Sequence, residues 1–363
     1  MDDVSSMKIK YWGVRGSIPC PLSQEQLRTK EIALIKKIME SGGTEKLFGK
    51  TFQPEVIEQY LSDLPRSLSG TYGGDTTCLE IQAHNSPLII IDAGTGMRLL
   101  GRTLLGRLFS GQNLNPLSTI HETKQDLHLF FTHYHWDHIQ GFPFFAPAFI
   151  PGEKRITFHF YGKRDARMEL SEVLRGQQQC PNFPVIWDDM PCHKRYLELN
   201  RLNPVITKLG DVEVSYQELT HPDFVFAYRF EVNNRAFVCA TDTEHKDTID
   251  PRLVKLAKNA DILYYDSQYT PEEYYGTPGS LTGAMPKFDW GHSTYEWAIK
   301  NALAAEVKCV VLGHHEPLRD DFSIEQILDK AKTFRDKQLQ LPKNIGKKLQ
   351  VLMSYQGMEQ VLP

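Results

Sequence analysis

Thr132-His133-Tyr134-His135-Trp136-Asp137-His138 places three imidazoles and one carboxylate within six residues. Directly before it runs Leu127-His128-Leu129-Phe130-Phe131, an apolar segment of strand length and aromatic content. The cluster therefore falls where a buried strand ends, in a loop whose rigid base can aim several side chains at one point. Imidazole nitrogen and carboxylate oxygen are ligands that divalent zinc, manganese and iron accept. One His after a strand is ordinarily a surface residue, and a lone His-x-His pair can arise by chance. Four ligand-type residues at this density point instead to a metal site.

Ligand-type residues recur downstream at the ends of other strand patterns. Leu219-Thr220-His221-Pro222 closes one, Cys239-Ala240-Thr241-Asp242-Thr243-Glu244 a second, and Val310-Val311-Leu312-Gly313-His314-His315 a third. Taken singly, each is an unremarked strand end; recurring behind the primary cluster, they suggest side chains delivered to one shared edge. Further strand patterns lie at 7–12, 77–81, 88–91, 156–161, 212–216 and 225–231. The C-terminal third alternates helix and strand, with helices expected at 250–258, 294–305 and 324–337. This mixture predicts an α/β protein of stacked sheets flanked by helices. Residues 23–68 differ in character: Leu27, Ile32, Ile35 and Ile38 have helical spacing, and 54–61 is a second short helical pattern. We read this segment as a helical insertion in a single domain spanning 1–363, serving as a lid, a dimer contact or a solvated decoration.

The chain of 363 residues has 41% hydrophobic and 24% charged residues, an ordinary soluble composition. A net charge of −4 offers no electrostatic footprint for duplex nucleic acid. The N-terminus, Met1-Asp2-Asp3-Val4, lacks the apolar core of a signal peptide, and no stretch is long enough to span a membrane. Six scattered cysteines form no Cys-x-x-Cys, which argues against a cysteine zinc site and a disulfide framework. The cytosol is the expected compartment.

His133, His135, Asp137 and His138 match in full the His-x-His-x-Asp-His signature of the metallo-β-lactamase superfamily, which this sequence resembles from Met7 to its C-terminus apart from the insertion. His221, Asp242 and His314 match the later ligands of that family. The resemblance implies a four-layer αββα sandwich and two divalent metal ions per chain, Zn2+ or Mn2+ with Fe2+ as a further option. It implies one metal on His133, His135 and His221, and a second on Asp137, His138 and His314, with Asp242 bridging. Such a pair lowers the pKa of a shared water toward neutrality. Many true β-lactamases carry a cysteine where Asp242 stands, which counts against that activity.

Trp290-Gly291-His292-Ser293-Thr294-Tyr295-Glu296 narrows the class. Ser293 and Glu296 have capping-box spacing, so His292 is expected in the loop just before a helix. The Gly-His-Ser-Thr segment resembles the phosphodiesterase branch that includes tRNase Z. The resemblance implies a catalytic pair, His292 and Asp137, with His292 protonating the leaving alkoxide or stabilising phosphorane charge. The interval from His221 to Asp242 has no room for the tRNA-gripping arm of tRNase Z. Segments 72–78, 91–96 and 141–145 instead resemble bacterial cyclic-nucleotide phosphodiesterase-like members. The expected substrate is a small phosphodiester, a 3′,5′-cyclic nucleotide first, with another cyclic phosphate, RNA 3′ ends, or a thioester or lactone as rivals, and a non-enzymatic metal-binding module as a further one. Members of this branch are often homodimers, and a homodimer is expected. Trp136, Phe142, Phe144, Phe145, Phe183 and Trp187 are candidates for a base pocket. Asp75, Thr76, His315 and Phe142 are candidate substrate contacts, and Gly94-Thr95-Gly96 is a candidate phosphate-approaching turn.

Overall fold

The computed structural model describes residues 7–49, 52–119, 125–164, 168–199 and 207–363. The reading of a continuous domain over 1–363 extends beyond these residues. The first sheet has seven strands: β1 (Met7–Gly13), β2 (Cys78–Ala83), β3 (Leu88–Ile91), β4 (Asp126–Phe130), β5 (Thr157–Lys163), β6 (His193–Leu199) and β14 (Glu359–Leu362), in the spatial order β14-β1-β2-β3-β4-β5-β6. The second also has seven: β7 (Thr207–Leu209), β8 (Val212–Leu219), β9 (Val225–Val232), β10 (Arg235–Ala240), β11 (Ile262–Asp266), β12 (Cys309–Gly313) and β13 (Gln350–Met353), in the order β13-β12-β11-β10-β9-β8-β7. Each sheet joins an antiparallel half to a parallel half; β3 to β6 and β10 to β13 are the parallel sets.

Side-chain alternation explains the layering. On β3, Ile89 and Ile91 enter the core between the sheets, while Leu88 and Ile90 enter the core beneath a helix, α5 (Met97–Phe109). On β12, Cys309 and Val311 face the other sheet, while Val310 and Leu312 face α8 (Pro251–Leu256), α10 (Tyr295–Ala304) and α11 (Asp321–Leu339). Strands covered on both faces read as unbroken apolar runs such as Leu88-Ile89-Ile90-Ile91. Helix, sheet, sheet and helix follow one another, the αββα sandwich that the sequence led us to expect.

Residues 23–68 hold α1 (Gln24–Glu40), α2 (Gly43–Phe48) and α3 (Pro54–Ser62), followed by the short α4 (Arg66–Ser69). A Ser23–Gln26 capping box opens α1. The helix is fastened by Lys30, whose ammonium meets Asp321 of α11 in a buried ion pair. The apolar spacing of α1 does not lead into a core: Ile32 and Ile35 are 60% and 61% exposed. Among the described residues, β6, β7 and β14 were not expected from sequence. All three are short or exposed edge-side strands whose pairing, rather than their composition, defines them.

Candidate metal centre

Each of the seven candidate ligand residues sits just past the carboxyl end of a strand. His133 to His138 follow β4, His221 follows β8, Asp242 follows β10, and His314 follows β12. Both sheets open their strand ends onto one edge, so residues from four distant stretches converge. Three residues at these ends, Asp92, Asp242 and His314, have φ of 58°, 53° and 59°. Non-glycine residues seldom adopt this left-handed conformation, and clusters of it mark functional sites.

The convergence forms two ligand groups. Nitrogens of His133, His135 and His221 lie within 4.8 Å of one another, as do ligand atoms of Asp137, His138, Asp242 and His314. Asp242 stands between them. Its Oδ1 is 3.8 Å from His133 Nε2 and 3.1 Å from His314 Nε2, and its Oδ2 is 3.3 Å from His138 Nε2. Asp137 Oδ2 is 3.2 Å from both His138 Nε2 and His314 Nε2.

The outer nitrogens of His138, His314 and His133 are held by the protein, so their inner ones face the centre. His138 Nδ1 pairs with Asp92 Oδ2 at 2.8 Å, and Asp92 in turn accepts from the Thr132 backbone. His314 Nδ1 pairs with Gln268 Oε1 at 3.0 Å. His133 Nδ1 lies 3.1 Å from the Thr132 hydroxyl. The inward His133 Nε2 and both nitrogens of His221 are buried and find no partner among protein atoms. A buried polar atom without a partner is costly, so His133 Nε2 and one nitrogen of His221 fit a bound cation.

Protonation agrees with that fit. Burial pushes the imidazolium forms of His133, His135 and His221 down, His221 to about 3, which leaves neutral rings with free lone pairs. Burial also opposes ionisation of Asp137 and Asp242, but the neighbouring His138 and His314 outweigh it and hold both carboxyls well below the usual range. These three neutral imidazoles and two ionised carboxylates suit a divalent cation, whereas at His138 burial is outweighed by Asp242, Asp137 and Asp92, which hold a proton that a cation would have to displace.

Close backbone approach completes the site. Any side chain at Gly16 would strike His314 Nδ1 at 2.5 Å, and the next residue, Ser17, donates its N–H to Asp137 Oδ2 at 2.8 Å. Gly291, at φ 87°, passes so near His221 that a Cβ would meet its ring at 2.3 Å. Nothing local in the sequence shows that the loop after β1 touches the site.

His292 is buried beside the cluster, its ring stacked 5.0 Å from that of His314. Its Nδ1 pairs with Asp266 Oδ2 at 2.9 Å. Burial lowers the imidazolium pKa, but Asp266, Asp242 and Asp137 outweigh this and push it up to about 9. Asp266, at the end of β11, also accepts from the backbone N–H groups of Ser293, Gln268 and Asp242. With both oxygens engaged, it organises the site rather than offering a free ligand. Sequence reasoning missed it; the signal was a carboxylate closing the apolar run Ile262-Leu263-Tyr264-Tyr265. The expected Ser293–Glu296 capping box does not form. Thr294 is the N-cap of α10, because the Ser293 N–H is taken by Asp266 and its hydroxyl by His245.

The four candidate substrate contacts lie elsewhere. Phe142 is fully buried and packs on Phe145, Phe158, Phe160 and Trp187. Thr76 is engaged reciprocally with Thr95, each hydroxyl accepting the other's N–H at 2.9 Å. Asp75 Oδ2 accepts from Gln356 Nε2 at 2.8 Å. His315 Nε2 donates to the Ser354 carbonyl at 2.8 Å, locking that ring into the fold behind the site. The Gly94 and Gly96 N–H groups bond to the Thr77 and Thr76 carbonyls and so are not free for phosphate. A further group, Asp126, His128 and His159, has ligand-type atoms close together. Its two rings are stacked 4.3 Å apart at 3°. In-plane lone pairs of parallel rings cannot meet at one ion, so this group is a structural stack.

One cavity opens at the metal centre and a second adjoins it. The first, of about 430 Å3, is lined by Ser17, Tyr134, His135, Trp136, Asp137, Asp242, His292 and His314. The second, about 550 Å3, shares Tyr134 and Trp136 with it. The aromatic set read from sequence divides here. Phe145 and Trp187 join Phe142 in the core, while Trp136, Phe144 and Phe183 line the larger cavity.

Fold and site together define a metal-dependent hydrolase, with paired His/Asp ligand groups at the open edge of an αββα sandwich. The chain belongs to the beta-lactamase superfamily domain family, which matches residues 88–315. Among solved structures it is similar to the metallo-β-lactamase fold protein YhfI from Bacillus subtilis, with 14% identity, TM-score 0.55, and 98% of this chain and 99% of that chain covered. It is also similar to yeast PDE1, with 13% identity, TM-score 0.55 and coverage of 99% and 100%. The short form of human tRNase Z aligns with 14% identity, TM-score 0.51 and coverage of 98% and 99%. At these identities the likeness is one of fold. No curated protein sequence matches the chain. No helix among the described residues is long and apolar enough to cross a membrane.

Proposed function

We propose that the protein is a dinuclear metal-dependent phosphodiesterase that hydrolyses 3′,5′-cyclic nucleotides to nucleoside monophosphates. The observation that carries this reading is the Asp266–His292 pair set against the two ligand groups. A phosphodiester held beside these ligand groups would present its leaving oxygen to His292, which lines the same cavity as Asp137, Asp242 and His314. When bound, two divalent cations acidify a water and neutralise the charge on phosphoryl oxygens. The chain's residues do the rest. Asp137 and Asp242 fix the ligand geometry, with Asp137 oriented by the Ser17 N–H and Asp242 by the Thr241 hydroxyl. One P–O bond forms to the water oxygen, the P–O3′ bond breaks, and the departing alkoxide takes the Nε2 proton of imidazolium His292. Asp266 holds Nδ1–H and stabilises that imidazolium before transfer.

Two features favour a diester of modest size. No lysine or arginine lines the metal-site cavity among the described residues, so a monoester dianion would find no added cation there. Between His221 and Asp242 the chain makes only β9, a turn at Asn233 and Asn234, and β10, leaving no arm to grip a polynucleotide. Zinc and manganese are the proposed metals. The test is turnover of cyclic AMP, cyclic GMP, 2′,3′-cyclic nucleotides and precursor tRNA by protein reconstituted with each metal, read by product chromatography. Nucleoside 5′-monophosphate is the expected product. Trimming of tRNA 3′ trailers with cyclic nucleotides untouched would overturn the assignment.

A further inference from the structure

The larger cavity has a composition unlike that of the metal-site cavity it adjoins. Trp136, Phe144 and Phe183 supply three aromatic walls, and Ile139, Pro143, Met168 and Val173 fill between them. Its polar side chains are neutral: Tyr134, Gln140, Gln177 and Asn182. The Tyr134 hydroxyl donates to the Lys163 carbonyl, and the Gln177 amide nitrogen to the Ile139 carbonyl. The side-chain amides of Gln140 and Asn182 remain, each carrying both donors and an acceptor. No charged side chain lines the cavity among the described residues.

The aromatic walls are also unusually exposed. Trp136 is 78% and Phe144 61% exposed, although Trp136 lies between two metal ligands in sequence. Phe144 meets Phe183 edge to face at 5.5 Å, which leaves their remaining faces toward the cavity. Large aromatic surface left in water beside a reactive centre awaits a partner surface. A second phosphate or a carboxylate would meet no cation among the described lining residues. A plain alkyl chain would leave the amides without a partner.

We propose that this cavity seats an uncharged planar heterocycle of nucleobase type carried by the substrate, stacked on Trp136, Phe144 or Phe183 and presented at its edge to Gln140 and Asn182. The proposal rests on the phosphodiesterase reading for its link to chemistry, because the base enters while the phosphate occupies the metals. It commits the cavity to aromatic recognition of a nucleoside, not of an acyl chain or a second phosphate.

The experiment compares metal-loaded wild type with Phe144→Ala and Phe183→Ala, neither of which lies among the metal ligands. The substrates are a cyclic nucleotide and the 3′,5′-cyclic phosphate of 1,2-dideoxyribose, which lacks the base. Loss of one stacking wall should raise KM for the cyclic nucleotide about tenfold or more, with kcat and metal content little changed. The abasic diester should be hydrolysed equally by all three proteins. Equal losses on both substrates, or none on either, would overturn the proposal. If wild type hydrolyses neither, the phosphodiesterase reading fails and the cavity is judged by binding alone. Adenosine and guanosine, which carry no phosphate, are then measured by equilibrium dialysis. Binding weakened in both variants sustains the heterocycle site; no binding, binding unaltered by the variants, or displacement by octanoate overturns it.

Discussion

Replacing Asp266 by Asn removes one charge at the point on which the acid role of His292 depends. The wild-type carboxylate accepts four hydrogen bonds: Ser293 and Gln268 N–H at 2.8 and 3.1 Å on Oδ1, and His292 Nδ1 and Asp242 N–H at 2.9 and 3.2 Å on Oδ2. An asparagine oxygen can keep the Oδ1 pair. Its NH2 group then confronts the other two donors. His292 must turn Nδ1 into an acceptor and carry its proton on Nε2, as a neutral imidazole and a poor acid. Loss of a hydrogen bond to a charged group costs about 1.5–3 kcal/mol, or about 10- to 150-fold, and general acids contribute about 10²–10⁴-fold. We expect kcat on a cyclic nucleotide to fall about 10²-fold. A p-nitrophenyl diester, whose leaving group needs no proton, should lose much less. The pH profile adds a second readout. Burial lowers the His292 pKa, but Asp266, Asp242 and Asp137 push it up to about 9, so its acid function is present below that pKa and lost as pH rises through it. Bound cations move this limb down, and the Asn variant should move it down further. The assay is kcat/KM against pH for both substrates at verified full metal content. Equal losses on the two substrates with an unmoved alkaline limb would refute the reasoning.

Asp242→Ala should empty both ligand groups, whereas His133→Ala should retain about one metal per chain, the difference expected of a bridge in a two-metal site; elemental analysis of folded protein checks both. Burial lowers the His138 pKa, but Asp242, Asp137 and Asp92 outweigh burial and raise it. A cation must displace that proton, so apparent metal affinity should rise with pH, about tenfold per unit for one proton, until the His138 pKa is passed. A chelator-competition titration that stays flat between about pH 6 and 8 would contradict this. If the exposed Ile32 and Ile35 of α1 form the expected dimer contact, changing both to Lys should reduce the mass in solution to one chain while turnover persists. Point changes are preferable to deleting the segment, which would strip Lys30 from the buried Asp321.

The seven residues that cluster at the open edge were legible because each is a polar residue interrupting or closing an apolar run, a contrast that survives without coordinates. Layering was legible for the same reason: β3 and β12 are apolar on both faces, which only a doubly covered sheet explains. The outer shell was not legible. Asp92 and Asp266 also close apolar runs, but nothing local shows that Asp92 meets His138 or that Asp266 meets His292; only the order of strands in the two sheets brings them there. The candidate substrate contacts do not line the metal-site cavity, because adjacency in sequence is not adjacency in space. His315 follows His314, yet successive side chains at a strand end point opposite ways, and His315 turns into the fold toward Ser354. Phe142 and Phe144 divide likewise, one into the core and the other to the cavity.

The left-handed residues explain why the ligands cannot be placed by local preference. Aspartate and histidine tolerate positive φ better than most side chains, yet the region stays sparsely populated even for them, and His314 is the bulkiest of the three residues. It is held there from every side. Its flanking strand pairs with β11 and β13, its N–H faces the Tyr264 hydroxyl at 3.3 Å, and its Nδ1 is fixed by Gln268. Gln268 is itself tied to Glu316, and Arg319 bonds the Gln268 carbonyl while pairing with Glu273. The strained turn is thus overdetermined by a buried polar network reaching from the site toward α11. Preorganisation of this kind requires no movement of the ligand when a cation arrives, and it accounts for a metal site whose parts come from opposite ends of the chain yet meet within a few ångströms.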